Sequence, residues 1–319
     1  MPMLDMPIEK LRVYQGTNPR PDDFDAFWDA RLKALDSVDP EVELRPAAFQ
    51  VPFAECLDMT FTGIGGARIY AKVVRPRDAS APHPAVLMFH GYSGDSGDWC
   101  GKLSYAAMGY TVAAMDCRGQ GGLSQDPGGH TGNTLHGHIV RGLDGPPEDM
   151  MYVQVFLDTA QLARAVMAMD DVDAGRVAAS GGSQGGGLTL ACAALEPRIS
   201  RAASTFPFLS DYRRVWEMDL VKSAYKELRD YFKRFDPRHE RAGEIFAQLG
   251  YIDVQHLCPR IRGEVYMAVG LVDETCPPST QFAAYNKIAS KKSMALYPDF
   301  GHEALKGHED LVFQFLRQL

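Results

Sequence analysis

The chain lacks several things that would assign it quickly. Its 319 residues contain no C-x-x-C pair, and six cysteines (Cys56, Cys100, Cys117, Cys192, Cys258, Cys276) form no disulfide framework. Cys117 and Cys192 sit in apolar runs, where a thiol behaves as a small hydrophobe, so the usage predicts a reducing compartment. Basic residues do not dominate: Lys and Arg number 33 against 41 Asp and Glu, a net charge of −8, which argues against a nucleic-acid surface. No apolar run reaches membrane-spanning length, and the N-terminus carries Asp5 and Glu9 in place of a signal-peptide core. A cytoplasmic protein with no membrane partner is the expectation. No G-x-x-x-x-G-K-[ST] phosphate loop, dinucleotide fingerprint or internal repeat occurs.

What is present centres on Arg176 to Leu195, RVAASGGSQGGGLTLACAAL. Arg176 to Ser180 reads as a buried strand, Gly181-Gly182-Ser183-Gln184-Gly185 fits G-x-S-x-G, and Gly186 to Leu195 reads as a helix. Strand, tight turn and helix in that order are the context a nucleophile elbow requires. Gly181 and Gly185 let strand and helix approach closely, and the helix N-terminus aims N–H groups at a developing anion.

Around this stretch the pattern predicts an α/β fold with a mostly parallel central sheet covered by helices. An arm over residues 1–20 precedes a helix over 22–35, both in an N-terminal piece ending near residue 40. Leu57 to Thr62 and Ala67 to Val74 read as a hairpin at a sheet edge. Strands follow at 85–90, 111–116, 201–206, 264–269 and 293–297, and helices at 103–108, from Pro146 to about Met169, at 278–289 and at 303–319. Residues 207–260, aromatic and charged at helical spacing, read as a helical lid inserted into one domain spanning 1–319. Its first residues, Pro207 and Phe208, are expected to line the substrate pocket with Tyr92.

A serine hydroxyl needs a base, and the base needs an orienting acid. In this architecture the order is Ser, acid, His, each on a loop after a strand. Asp273 follows the strand ending near Val269, and His302 follows the last strand, so Ser183, Asp273 and His302 are the expected triad. Glu274 is the alternative acid and His308 the alternative base. The N–H groups of Gln184 and of Tyr92, in His90-Gly91-Tyr92, are the expected oxyanion donors. The glycine-rich stretch 119–143 carries His130, His136 and His138, but no adjacent carboxylate or cysteine spacing supports a metal, and no cofactor is expected.

With these residues in view the chain resembles carbohydrate esterase family seven, the acetyl xylan esterase and cephalosporin-C deacetylase group. The resemblance is carried by Arg118-Gly119-Gln120, Gly181 to Gly185, His302-Glu303, Gly270 to Thr280 and Pro207 to Arg214. It implies an α/β-hydrolase fold and removal of acetyl groups from small acetylated sugars and cephalosporin C. It also implies a homohexamer, a trimer of dimers, with active sites facing an internal cavity. The competing readings are an acyl peptidase or dienelactone-type hydrolase on the same triad, and a binding scaffold without catalysis.

Overall fold

A computed structural model describes residues 4–78, 82–126 and 129–319. Nine strands among these residues form one sheet: β1 Glu43–Pro46, β2 Ala54–Thr62, β3 Arg68–Pro76, β4 His83–Phe89, β5 Thr111–Met115, β6 Val172–Gly182, β7 Arg201–Thr205, β8 Glu264–Gly270 and β9 Lys292–Tyr297. Their order is β1-β2-β3-β5-β4-β6-β7-β8-β9. The pairings from β5 through β4, β6, β7 and β8 to β9 are parallel, whereas β1, β2 and β3 join antiparallel. All carboxyl ends of the parallel strands therefore open on one edge of the sheet, where an open α/β sheet forms its sites.

The helices are α1 Ile8–Leu11, α2 Phe24–Leu35, α3 Leu103–Ala107, α4 Met151–Met167, α5 Gln184–Leu195, α6 Tyr212–Glu217, α7 Lys226–Phe235, α8 Ala242–Leu249, α9 Val254–Leu257, α10 Pro278–Lys287 and α11 His308–Leu316. The sheet is covered on both faces, as its continuously apolar strands demand. Along β4 the burial alternates with the pleat: Ala85, Leu87 and Phe89 join the large core, while Val86 packs with Tyr105, Val112 and Leu316 on the other side. Helix α5 is buried at every position, so it carries no polar stripe and reads as apolar all round. This is the α/β-hydrolase fold the sequence predicts, with helices α6 to α9 in the inserted segment.

Three expectations need correction. The 57–74 hairpin is not the sheet edge, because β1 pairs outside β2 from Glu43↔Thr60 to Pro46↔Leu57. The N-terminal arm contains the short helix α1, whose Leu11 is buried against Val269, Leu271 and Phe282. The last helix starts at His308 instead of 303, after Gly307 in the left-handed region (φ +75°), and the skipped residues form the turn that carries His302. Among the described residues no helix is long and apolar enough to cross a membrane.

Candidate active site

Ser183 sits between β6 and α5 with φ +57° and ψ −120°, a conformation that non-glycine residues rarely adopt. Such a residue stores on the order of 1–3 kcal/mol and persists only where its surroundings hold it. Here the Ser183 N–H donates to Thr205 O (3.0 Å), and Ser183 O accepts from the N–H groups of Gly187 and Phe208 (3.0 Å each). The flanking glycines are needed for space. A Cβ on Gly181 would stand 2.5 Å from Gly185 O, and one on Gly185 would stand 2.0 Å from Phe89 O.

The turn delivers Ser183 Oγ to within 2.9 Å of His302 Nε2, and His302 Nδ1 lies 2.8 Å from Asp273 Oδ2. A carboxylate only accepts hydrogen bonds, so Nδ1 carries the imidazole proton and Nε2 is free to accept from the serine hydroxyl. Asp273 is fully buried, and its other oxygen accepts the N–H groups of Thr275 and Cys276 at 2.8 Å each. Capping these N–H groups and facing the imidazole thus fall to one residue. The alternatives lie elsewhere: Glu274 is exposed and pairs with Lys222, and His308 Nε2 lies 2.6 Å from Thr205 Oγ1.

Two neighbours escape sequence reasoning. The Phe206 ring lies 4.5 Å from the His302 ring, centroid to centroid, and restricts how the imidazole turns. The buried Cys276 thiol shares a cluster with Asp273 and His302 in which the three ligand-type atoms lie within 4.8 Å of one another. Burial and the adjacent Asp273 charge push that thiol well above its ordinary pKa, so it stays protonated beside the hydroxyl. Its position three residues after Asp273, in the same turn, was the signal available.

The other expected residues converge on the same edge. Gln184 opens α5, where the first N–H groups have no partner inside the helix, and Tyr92 follows β4 by three residues. The Gln184 side chain is buried and exchanges reciprocal amide hydrogen bonds with Gln120 (3.0 and 3.1 Å), while Tyr152 donates to its Oε1 at 2.6 Å. Gln120 also accepts the Ser93 N–H at 3.0 Å, so one side chain ties the turn after β4 to the elbow. Arg118 is buried and forms a two-pronged pair with buried Asp158 (2.7 and 2.6 Å), locking the segment after β5 onto α4. Gly119 continues that turn at φ +65°. Glu303 is exposed and accepts the Gly301 N–H at 3.1 Å, which shapes the His302 turn.

Tyr92 and Phe208 pack edge to face at 5.6 Å, and Pro207 precedes Phe208 at the start of the insertion. Of the three loop histidines, His130 and His136 are exposed and His138 is buried against the Tyr92 ring at 4.9 Å. Burial, helped by His136 and His90, pushes the His138 pKa down to about 4, so its imidazole is neutral. Another histidine matters more for the turn: His90 Nε2 accepts the Cys117 N–H at 2.9 Å, which leaves Nδ1–H to donate to Gly91 O at 2.7 Å.

A serine, histidine and aspartate in hydrogen-bond series suit acyl transfer. The comparisons with known proteins agree. Residues 1–319 match the family described as acetyl xylan esterase (AXE1). The structure is similar to that of acetyl xylan esterase 1 from a Thermoanaerobacterium species, with 59% identity, 99% of each chain covered and a TM-score of 0.96. An acetyl xylan esterase from a Paenibacillus species is 34% identical over 98% of this chain and 99% of that one, with a TM-score of 0.92. The acetyl esterase Axe7A of Xylanibacter ruminicola is 26% identical over 297 residues, 91% of this chain. The chain spans 64% of that curated relative's length. The chain belongs to the acetyl xylan esterase family, a family of carboxylic ester hydrolases.

Proposed function

We propose that the chain is a serine esterase that removes acetyl groups from small acetylated substrates, xylo-oligosaccharide acetates and cephalosporin C among them, through an acyl-enzyme on Ser183. The observation that carries this reading is the run from Ser183 Oγ through His302 to Asp273, at 2.9 and 2.8 Å. His302 takes the hydroxyl proton as Ser183 Oγ bonds to the acetyl carbon. The Tyr92 and Gln184 N–H groups receive the oxyanion. The C–O bond to the sugar then breaks, and the leaving oxygen takes the proton from His302. Water repeats the steps, bonding to the acyl carbon and releasing acetate and Ser183. Asp273 keeps the imidazole in the required tautomer and stabilises the imidazolium.

A preference for acetyl is expected of a site beside the Phe206 ring, 4.5 Å from the His302 ring, and the Tyr92 ring, with Phe208 fully buried behind Tyr92. Pro207 and Phe208 open a lid formed by residues 207–260. Exposed Leu123 and Leu135 give the 119–143 loop an apolar face suited to a neighbouring subunit of the trimer of dimers that the family resemblance implies. The six cysteines are free thiols, which fits a cytoplasmic setting.

The test is a substrate panel: p-nitrophenyl acetate, butyrate and octanoate, acetylated xylobiose, cephalosporin C and an aminoacyl-nitroanilide. Acetyl esters should be hydrolysed fastest and the nitroanilide not at all. Ser183→Ala should lower turnover by about 10⁶-fold with the fold intact. A folded Ser183→Ala protein with near-normal turnover refutes the mechanism, and equal rates on acetate and octanoate refute the acyl selectivity. Light scattering should give a particle of several chain masses of 35.2 kDa; a monomer refutes the assembly.

A further inference from the structure

The carboxylate of Glu227 is 8% exposed, and its partners are neither guanidinium nor ammonium. One oxygen accepts the Tyr92 hydroxyl, and the other accepts the N–H groups of Ile139 (2.8 Å) and Val140 (3.0 Å). Burying a carboxyl without a cation is costly, and here the Tyr92 hydroxyl and two backbone N–H groups offset that cost. Burial pushes the Glu227 pKa upward, and the donors around it act against that. Such a group is retained for the geometry it imposes.

That geometry joins three segments at the site. Glu227 lies on α7 of the inserted helices, Tyr92 on the turn after β4, and Ile139 and Val140 on the 119–143 loop. The Tyr92 ring is held between His138 (4.9 Å) and Phe208 (5.6 Å), and the Phe208 N–H itself donates to Ser183 O. The hydroxyl at the far end of the ring is the one polar group of the Tyr92 side chain, so a hydrogen bond holds the ring there. His138 N–H also reaches that oxygen at 3.4 Å.

We propose that Glu227 is a positioning residue for the esterase reaction, anchoring the Tyr92 hydroxyl and the 137–140 turn so that the Tyr92 backbone N–H faces the oxyanion. The inference rests on the assignment of Tyr92 as an oxyanion donor. Its action is felt in the transition state and not in substrate binding, because the ground-state carbonyl makes weaker demands on that N–H. It also makes the lid helix α7 part of the catalytic apparatus, since moving α7 away releases Tyr92.

The experiment compares Glu227→Ala, Tyr92→Phe and the double variant with wild type. Its readouts are kcat and KM for p-nitrophenyl acetate, and the affinity for methylboronic acid, which forms a tetrahedral adduct on the serine. Losing an oxyanion donor costs about 10²–10³-fold, so a donor set loose should cost about 10–100-fold in kcat with KM little changed. Boronate affinity should fall by a similar factor. The double variant should be no worse than Glu227→Ala alone, because both single changes break the same Tyr92–Glu227 hydrogen bond. Tyr92→Phe leaves Glu227 and its backbone partners in place and keeps the test decisive if Glu227→Ala folds poorly. Wild-type kcat in Tyr92→Phe, or a kcat loss in Glu227→Ala with unchanged boronate affinity, overturns the proposal. Ser183→Ala separates the two readings: if it abolishes turnover while Glu227→Ala and Tyr92→Phe do not lower kcat, the esterase mechanism stands and the positioning role falls.

Discussion

On the proposed mechanism, replacing Asp273 by Asn should disable catalysis by moving a single proton. Oδ1 of Asp273 accepts two backbone N–H groups, from Thr275 and Cys276, and neither donor can turn away. An asparagine must therefore place its carbonyl oxygen there and its NH₂ group where Oδ2 now faces His302 Nδ1 at 2.8 Å. Two donors cannot share that space, so Nδ1 gives up its proton and Nε2 carries it. Nε2 then points a hydrogen at Ser183 Oγ across 2.9 Å and cannot act as a base. The expected cost is about 10⁴-fold in kcat, or about 5.4 kcal/mol at about 1.36 kcal/mol per tenfold. KM should change little, because the substituted atom is fully buried and isosteric. Steady-state kinetics on p-nitrophenyl acetate, with Glu274→Gln as comparison, measures this. Glu274 reaches Lys222 at the surface, and its change should stay within about twofold, in line with a solvent-screened pair. A Glu274→Gln enzyme more impaired than Asp273→Asn would refute the reasoning.

Gly185→Ala puts a methyl group 2.0 Å from Phe89 O, a backbone atom that cannot yield, so urea unfolding should show a loss of about 3 kcal/mol or more. Arg118→Met strands Asp158 in a site where both side chains are fully buried, with an expected loss of about 3–5 kcal/mol. The double change Arg118→Met with Asp158→Leu should recover most of that loss, and equal instability of single and double variants would count against the ion pair. Asp253, fully buried beside Asp211, has its pKa raised to about 7 by desolvation first and the Asp211 charge second. A raised carboxyl pKa means the fold prefers the protonated form, so this contribution is complete below the ordinary value of 3.8 and is lost as pH rises through about 7. Asp253→Asn cannot ionise, and its Tm should fall less steeply than that of wild type between about pH 4 and 7; parallel Tm curves would refute the assignment.

The parts of the site that the sequence made legible are those fixed by short-range rules. Gly181 to Gly185 announces its turn because strand, glycine and helix signals lie side by side, and the clash distances at Gly181 and Gly185 show why only glycine fits at those two positions. Asp273 and His302 are legible from their strand ends, since the parallel pairing of β6, β7, β8 and β9 brings all their carboxyl ends to one edge. Strand β1 gave no such signal: Glu43-Leu44-Arg45-Pro46 is exposed at every position, without the alternation that a half-buried strand displays, and it exists through its pairing with β2. Glu227 misleads for a different reason. In Lys226-Glu227-Leu228-Arg229-Asp230 it reads as one charge on a solvated helix face, yet it lies beside buried Leu228 and Tyr231, at the seam where the Tyr92 ring reaches α7. Tyr92 is 135 residues away in the chain, and Asp158 stands 40 residues from Arg118. Helical periodicity reports which face of a helix is buried on average and carries nothing about a single polar partner arriving from another loop. Placing the proposed nucleophile, base and acid needs only the topology of the sheet, whereas the proposed anchoring of Tyr92 needs side chains that meet after the sheet and its insertion have packed. A sequence of this fold therefore reveals which chemistry it supports sooner than it reveals which distant residues hold that chemistry in register.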